Sequence, residues 1–323
     1  MSEPMTVVMS ERLGAIGEAE QAIVRAGATL VSAPLWTEDD LVTQGADADV
    51  LIVGASEPLN RGVLEQLPRL RLVVRRGVGV DNVDVAAATE LGIPVAYVPS
   101  ASVEEVSDHA LALLLASERR LFDIQDAARA DDPAEAARVG GQSRRFADLT
   151  LGIIGFGRIG RALARKSRSV FGTVLAYDPL PASPEAGVTA VSLDELLASS
   201  DLISLHAPGG PVVLDAAAFA RLRPGTVVVN TARGELIDED ALRAAIADGT
   251  VARAALDVTR EEPLAADSPL RGESRIRLTA HTGAKGSRSG PALRQGVVDA
   301  VLAALAGETP AYLADPSVIA REI

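Results

Sequence analysis

Residues 150–160 (TLGIIGFGRIG) constrain the fold of this chain more than any other stretch. A short apolar run predicts a buried parallel strand, three glycines follow it, and residues 158–171 have the length and period of a helix. Gly155 permits a tight turn, Gly157 lets the backbone approach a pyrophosphate, and Gly160 lets the helix pack closely on the strand. The helix N-terminus directs N–H groups at the anion. The stretch therefore predicts a dinucleotide-binding strand, turn and helix.

A second predicted strand, residues 173–177, ends in Asp178. Its carboxylate follows the glycines by about twenty residues, the separation typical of the acid that binds the adenosine ribose. A carboxylate accepts hydrogen bonds from both ribose hydroxyls and repels a 2′-phosphate, and Pro179 and Leu180 supply no cation to bind one. The predicted cofactor is therefore NAD rather than NADP. A glycine-rich turn alone often has no ligand, but here strand, glycines, helix, second strand and acid come in order.

Length and composition narrow the class of protein. A chain of 323 residues predicts two domains. The formal net charge of -13 argues against nucleic-acid and anionic-membrane partners, because binding phosphates needs a basic surface. The absence of cysteine excludes disulfides, thiolate metal sites and a cysteine nucleophile, and we expect no metal site. The N-terminus lacks a signal-peptide pattern and no stretch approaches about 18 apolar residues, so we expect a soluble, cytoplasmic protein.

The first part of the chain alternates short aliphatic strands with helical patterns, which predicts a small doubly wound α/β unit. Its predicted strands are residues 6–8, 29–31, 50–53, 72–74 and 95–97. Its predicted helices are residues 17–25, 61–66 and 83–89.

A single long helix is predicted for residues 103–128, whose apolar middle indicates burial at a domain crossing, and a surface loop for residues 129–142. Further strands are expected to continue the cofactor sheet at residues 202–205, 226–230, 254–256 and 276–278, with helices at residues 193–198, 216–222 and 239–248. The last helical pattern, residues 292–306, has no strand partner there. We expect it to pack on the N-terminal unit.

Side chains that follow strands carry the predicted chemistry, because open α/β sheets bind ligands at the carboxyl ends of their strands. Arg233, Asp257, Glu262 and His281 all occupy such positions. A planar arginine binds a carboxylate and polarises a carbonyl, and a histidine exchanges a proton near neutral pH. A glutamate beside that histidine favours the imidazolium. The set suits hydride transfer between a nicotinamide and an alcohol or ketone.

Each of these residues also has a structural interpretation. Arg233 alone is explained as a solvated side chain, His281 as a hydrogen-bonded loop residue, and Glu262 as part of a charged run with its neighbour. Together, at the strand ends of one sheet, they favour catalysis. We interpret His206 as structural or close to the adenine, and His109 as a packed polar residue.

With these motifs in place, the chain resembles the D-isomer specific 2-hydroxyacid dehydrogenase family, nearest its phosphoglycerate dehydrogenase-like branch. The resemblance rests on residues 75–84 (RRGVGVDNVD), 103–110 (VEEVSDHA), the glycine turn, residues 230–234 (NTARG), residues 257–264 (DVTREEPL) and His281. It implies two Rossmann-like domains with a cleft between them, the NAD domain inserted into a flavodoxin-like substrate domain. The implied boundaries are residues 1–100 and 288–323 for substrate and 101–287 for NAD, with homodimers through the NAD domain.

The resemblance also implies residue roles. Arg233 grips the substrate, Glu262 tunes His281, and His281 is the acid and base. The resemblance implies that the backbone of Val78 and Gly79 binds the substrate carboxylate. We expect Arg75 and Arg76 to be substrate-binding residues as well. The cofactor-binding residues it implies are Gly155, Gly157, Arg158, Ile159, Gly160, Asp178, His206, Ala207, Thr231, Ala232, Asp257 and Gly283.

Four departures from the family pattern put parts of the site in question. Gly54 replaces an arginine that helps phosphoglycerate dehydrogenases bind their acidic substrate, while Arg76 stands where a small residue is common. Ala280 replaces the usual proline before the histidine, and Gly209 and Gly210 replace a Leu-Thr type pair. The regulatory extension of longer phosphoglycerate dehydrogenases has no counterpart in this sequence, so no allosteric site is expected.

The sequence favours an NAD-dependent enzyme that interconverts a D-2-hydroxy acid and its 2-oxo acid. One alternative is a non-catalytic NAD(H) sensor, since the family resembles transcriptional corepressors of the same fold. Another is oxidation of a small anion such as phosphite or formate, although formate dehydrogenases of the family typically carry Gln at the position of Glu262. The sequence leaves the substrate side chain, the physiological direction and the pathway open.

Overall fold

The structure is a computed structural model that describes residues 4–180 and 185–318. It divides into two compact units, and the second is inserted into the first. The first unit comprises Met1–Ser102 and Gly286–Ile323, and the second is Val103–Lys285. The boundaries at residues 100 and 288 expected from the sequence fall two residues from these.

The first unit is built on a five-stranded parallel sheet in the order β2-β1-β3-β4-β5. The strands are β1 (Thr6–Ser10), β2 (Thr29–Ala33), β3 (Val50–Val53), β4 (Leu72–Arg75) and β5 (Val95–Tyr97). This order is that of flavodoxin-like sheets. Every residue of β3 is buried, which explains its continuous apolar sequence, because parallel sheets are covered on both faces.

Four short helices connect these strands: α1 (Gln21–Arg25), α2 (Glu38–Gly45), α3 (Arg61–Leu64) and α4 (Val85–Glu90). Side-chain caps fix where three of them begin, because the side chains of Thr37, Asn60 and Asp84 each accept a backbone N–H of the first turn. The sequence missed α2. The predicted helix over residues 17–25 begins only at Gln21.

The second unit is built on a seven-stranded parallel sheet in the order β12-β11-β10-β9-β6-β7-β8. The strands are β6 (Thr150–Ile154), β7 (Thr173–Tyr177), β8 (Thr189–Ala190), β9 (Leu202–Leu205), β10 (Thr226–Asn230), β11 (Val251–Leu256) and β12 (Ile276–Leu278). The chain runs outward from β6 through β7 and β8, then returns to the other side of β6 at β9. This reversal is the switch point at which doubly wound sheets bind nucleotides. The two sheets confirm the predicted α/β class.

Seven helices belong to the second unit: α5 (Val103–Glu118), α6 (Leu121–Arg129), α7 (Pro133–Gly140), α8 (Arg158–Ser167), α9 (Leu193–Ser199), α10 (Ala216–Phe219) and α11 (Glu239–Asp248). One apolar cluster joins α5 and α8 to the sheet, and another joins α9, α10 and α11 to it. The sheet is therefore covered by helices on both faces.

Two predictions for this unit were wrong. The single helix predicted for residues 103–128 is two helices, because the chain turns at Arg120, whose φ is 54°. The predicted loop at residues 129–142 contains α7 instead. Asp132 caps that helix by accepting the N–H of Glu135, and Pro133 occupies its first turn, where proline loses no hydrogen bond.

The last helix, α12 (Ser289–Leu305), belongs to the first unit and packs against β4, β5 and α1. Its Val297, Val298 and Val301 are buried in one cluster with Val7 and Ile52 of the sheet. Helix α12 thus covers part of one face of the first sheet. Within residues 4–180 and 185–318, no helix combines the length and apolarity that crossing a bilayer requires.

Candidate active site

The carboxyl ends of the second sheet hold the predicted cofactor residues and the predicted triad. The glycine turn follows β6, Asp178 follows β7, and His206 and Ala207 follow β9. The segment Thr231 to Arg233 follows β10, Asp257 follows β11, and His281 and Gly283 follow β12. Glu262 follows Asp257 in the same connection. Because the strands are parallel, these residues all lie at the same edge of the sheet.

The glycine turn has the shape that a dinucleotide phosphate requires. Gly155 has a φ of 90°, and a Cβ there would lie 2.5 Å from the backbone nitrogen of Ala207. A Cβ on Gly160 would lie 2.2 Å from the carbonyl oxygen of Gly155. Gly157 differs, because its Cβ would meet no atom within 4 Å. It directly precedes α8, so open space faces the N–H groups of a ten-residue helix, where an anion is stabilised.

Asp178 lies beside this turn. Its Oδ2 accepts the N–H of Phe156 at 2.7 Å, and its Oδ1 accepts the N–H of Leu180 at 2.9 Å. These bonds fix the carboxylate at the end of β7. An ionised carboxylate has about four acceptor sites, so two remain for ribose hydroxyls. The turn, the helix terminus and the acid therefore fit NAD.

Two buried polar atoms at neighbouring strand ends have no hydrogen-bond partner among the described residues: Nδ1 of His206 and Oγ1 of Thr231. Native proteins pair nearly all such groups. A polar ligand bound at this edge could supply both partners. The other ring nitrogen of His206, Nε2, lies 2.8 Å from Oγ of Ser204.

Substitutions at Gly157 and Gly155 separate the role of the turn in NADH binding from its role in folding stability. In Gly157→Ala the new methyl group enters open space, so we expect an unchanged melting temperature but NADH binding weakened by about tenfold or more. In Gly155→Ala the left-handed φ and the contact with Ala207 should cost roughly 1–3 kcal/mol of folding free energy. Thermal melts and NADH fluorescence titrations measure both quantities. Unweakened NADH binding by Gly157→Ala would show that the space does not hold the pyrophosphate.

His206 should make folding stability depend on pH. Burial lowers its pKa from 6.5 to about 3, so the folded protein keeps it neutral where the unfolded chain protonates it. The unfolded state then binds more protons, and stability should fall by up to about 1.4 kcal/mol per pH unit as pH drops from 6.5 towards 3. Denaturant unfolding at pH 7 and pH 5 should give a smaller difference for His206→Gln than for the native chain. Equal differences would contradict this.

His281 and Glu262 form a close pair. Nδ1 of His281 lies 2.6 Å from Oε2 of Glu262, and both side chains are partly exposed, at 51% and 36%. The other carboxylate oxygen accepts the backbone N–H of Thr259 at 3.2 Å. Because Nδ1 faces the carboxylate, Nε2 is the nitrogen available to a ligand. The pair can therefore hold and transfer a proton at Nε2.

Arg233 is placed by a buried asparagine at the end of β10. Asn230 accepts the N–H of Ala232 at 3.0 Å and donates to the carbonyl of Arg233 at 2.8 Å, which fixes the turn between them. A Cβ on Gly234 would lie 2.0 Å from the carbonyl carbon of Thr259. The turn that carries Arg233 therefore packs directly on the loop that carries Glu262. The sequence places Asn230 at a strand end and in the motif of residues 230–234, but predicts no role for its side chain.

The loop that carries His281 is organised around Asp257, which is 3% exposed. Its Oδ1 accepts from the hydroxyl of Thr279 at 2.6 Å, and Nε2 of His109 lies 3.0 Å from that hydroxyl. From the sequence, His109 is interpreted as a packed polar residue, and no role is predicted for Thr279. The one available signal was a histidine within an apolar helix. Ala280 and His281 both adopt left-handed backbone, with φ of 51° and 53°.

A cavity of about 420 Å³ adjoins the His281–Glu262 pair within the second unit. Its walls are mostly apolar and include Leu256, Pro263, Leu264 and Leu278. The described part of the chain holds no cluster of His, Cys, Asp or Glu suited to a metal ion.

The predicted substrate-binding residues of the first unit lie at the carboxyl edge of its own sheet: Arg75 ends β4, and Arg76, Val78 and Gly79 follow it. Arg76 donates to the carbonyl of Leu13 at 2.7 Å. Burial, and then the neighbouring Arg294, lower the pKa of its guanidinium below the ordinary value. Arg75 folds back over Gly77, where a Cβ would lie within bonding distance of its guanidinium.

The departures from the family pattern have local structural counterparts. A Cβ on Gly54 would lie 3.1 Å from both Glu57 and Leu13, so the larger side chain needs a different local packing. Gly210 has a φ of 153°, which favours glycine, and its N–H donates to Glu235 at 3.0 Å. At Ala280, a φ of 51° is closed to proline, whose ring fixes φ near about −65°.

Comparisons with known proteins agree with this geometry. Residues 111–283 match the sequence profile of the D-isomer specific 2-hydroxyacid dehydrogenase NAD binding domain. The D-3-phosphoglycerate dehydrogenase of Mycobacterium leprae is 38% identical over 268 residues, which are 81% of this chain and 50% of that protein. The chain spans about half the length of the curated relatives it matches.

Two solved structures extend the comparison to the whole fold. A glyoxylate reductase from Paecilomyes thermophila superposes with a TM-score of 0.86 at 27% identity, covering 97% of this chain and 99% of the other. D-Lactate dehydrogenase from Aquifex aeolicus, complexed with NAD and lactic acid, gives 0.82 at 27% identity, covering 94% and 96%.

Proposed function

The chain belongs to the D-isomer specific 2-hydroxyacid dehydrogenase family, and from this premise we propose that it is an NAD-dependent enzyme interconverting a D-2-hydroxy acid and its 2-oxo acid. The observation that carries the proposal is the His281–Glu262 pair at 2.6 Å, on the same sheet edge as Arg233 and the glycine turn. A proton donor, a carboxylate-binding cation and a dinucleotide site are the parts that such a reaction needs.

In this proposal His281 donates a proton from Nε2 to the carbonyl oxygen during reduction and removes it during oxidation. Glu262 accepts the hydrogen bond of Nδ1, which orients the ring and leaves Nε2 to face the substrate. The Arg233 guanidinium binds the substrate carboxylate and polarises the carbonyl. When bound, NAD supplies or accepts the hydride.

We propose the following contacts between the chain and NAD. Asp178 would hold the ribose, and the turn with Arg158 and Ile159 would cover the pyrophosphate. The remaining cofactor residues follow the central strands towards Asp257: His206, Ala207, Thr231, Ala232 and Gly283. The buried atoms without partners on His206 and Thr231 support this assignment.

The proposed substrate is a small 2-hydroxy or 2-oxo acid. Val78 and Gly79 are proposed to bind its carboxylate through their backbone, with Arg75 and Arg76 as additional binding residues. Against a phosphorylated substrate, Gly54 supplies no side chain and Arg76 already donates to Leu13. Relatives called D-3-phosphoglycerate dehydrogenase belong to this family. The substrate in their name is one candidate substrate for this chain. We also propose that the chain forms homodimers through the second unit and is located in the cytoplasm.

NADH oxidation followed at 340 nm tests the function directly. The panel is glyoxylate, pyruvate, oxaloacetate, phenylpyruvate, 3-phosphohydroxypyruvate and phosphonopyruvate. We expect turnover of at least one 2-oxo acid, and its identity shows whether the site accepts a second anion. Tight NADH binding without turnover of any of them, or of a wider set of 2-oxo acids, would contradict the proposed reaction.

A further inference from the structure

Three hydrogen-bonded side chains support the loop that carries His281. His109 on α5 lies beside Thr279, which in turn donates to the buried Asp257. We infer that His109 and Thr279 are positioning residues, which act through Asp257 to hold the backbone of His281 in its functional conformation. The inference rests on the proposed function only in assigning His281 to proton transfer.

The direction of the hydrogen bonds follows from the number of protons available. A threonine hydroxyl has one proton, and that of Thr279 goes to Oδ1 of Asp257 at 2.6 Å. Its oxygen, 3.0 Å from Nε2 of His109, must therefore accept. Nε2 of His109 carries a hydrogen, and it also lies 3.4 Å from Oδ1 of Asp257. His109 is thus the donor to Thr279.

Asp257 transmits this arrangement to three consecutive residues of the loop. Its carbonyl accepts the N–H of His281 at 2.5 Å, and its carboxylate accepts those of Thr282 and Gly283, each at 2.8 Å. A Cβ on Gly283 would lie 2.8 Å from Asp257 Oδ2 and 3.2 Å from Cδ2 of His109. Glycine at this position therefore permits the close approach of loop, carboxylate and imidazole.

The loop needs such support because its backbone is strained. Ala280 and His281 have φ of 51° and 53°, a region that residues other than glycine rarely adopt. Such conformations persist where surrounding contacts impose them. If the loop relaxed, the His281 ring would leave its position 2.6 Å from Glu262. A displacement of about 1 Å at a catalytic group lowers turnover by up to about 100-fold.

Thr279→Val tests the inference, since it removes the hydroxyl and keeps the shape of the side chain. We expect kcat to fall about 10- to 100-fold while the KM for NADH changes less than about threefold. Amide hydrogen exchange of residues 279–285, followed by mass spectrometry, should accelerate about tenfold or more. His109→Leu should act in the same direction on both readouts. Thr279→Ser keeps the hydroxyl, so its kcat and its amide exchange should stay close to those of the native protein.

Thr173→Val is the matched control, because Thr173 is exposed at the opposite end of the sheet, at the start of β7. Unchanged kcat and exchange in both Thr279→Val and His109→Leu would overturn the inference. A fall in kcat without faster exchange would also overturn it, since the backbone would not be the route. Faster exchange in a protein whose native form turns over no 2-oxo acid would uphold the positioning role and reject the proposed function. If one variant misfolds, the other decides.

Discussion

Replacing Arg233 with alanine is expected to lower kcat/KM for every 2-oxo acid by about 10³-fold, or about 4 kcal/mol of transition-state stabilisation. The guanidinium is the proposed partner of both the substrate carboxylate and the reacting carbonyl, and a bidentate charged donor is not replaced by water. Steady-state NADH oxidation on the best substrate of the panel measures the loss. Arg233→Lys should recover only part of it, because an ammonium cannot reproduce the planar fork.

Arg243→Ala provides the control for this experiment. Arg243 is exposed on α11 and pairs with Asp240 at 3.6 Å, so its loss removes a cation without touching the site. Its activity should stay within about twofold of the native value, since exposed ion pairs contribute little. Activity of Arg233→Ala within about tenfold of native would refute the proposed role of this arginine.

Replacing His281 with glutamine should lower kcat by about 10²- to 10⁴-fold, the range that general acid–base catalysis contributes. NADH affinity should change little, because only Gly283 among the proposed dinucleotide contacts shares the loop of His281. Glu262→Gln should produce a smaller loss, about 10- to 100-fold, since the ring keeps a hydrogen-bond acceptor but loses the charge 2.6 Å from Nδ1. Pre-steady-state turnover at a fixed pH separates the chemical step from product release.

Glu261→Gln is the matched control for Glu262→Gln, because Glu261 is the exposed neighbour in sequence and its backbone carbonyl accepts the hydroxyl of Thr259. Native-like turnover is expected of it. A His281→Gln variant that retains more than about a tenth of native kcat would require another proton donor.

The features that the sequence predicted best are those set by local pattern. The predicted bounds are correct for six strands, because buried parallel strands are short apolar runs between polar turns. These strands are β3, β5, β7, β9, β10 and β12. The glycine turn is predictable for a related reason. Gly155 is required by its own φ of 90°, and Gly160 by its approach to the nearby carbonyl of Gly155.

The errors in the fold arise where local signals conflict. Residues 129–142 are charged and contain glycine, which indicates a loop, yet the cap at Asp132 and Pro133 starts a helix. At Arg120 an ordinary residue adopts a left-handed φ and ends an apolar helical pattern. Nothing in the pattern itself marks that position, because arginine favours a helix.

The candidate site was predictable in its members but not in their arrangement. Arg233, Glu262 and His281 could be chosen because each follows a strand. The contacts that support the loop of His281 join residues distant in sequence: Thr279 with Asp257, and His109 with Thr279. Such contacts depend on which strands and helices become neighbours, which a period of hydrophobicity does not specify.

The insertion of one unit into the other also sets an order for folding during synthesis. All of Val103–Lys285 leaves the ribosome before α12, so the second unit can complete its core while the chain is still growing. The first unit cannot, since the apolar face formed by Val7, Ile52 and Val74 is covered by valines of α12. Until those residues emerge, the part of the face that α12 covers stays exposed, and we expect the nascent chain to be most prone to aggregation in this interval.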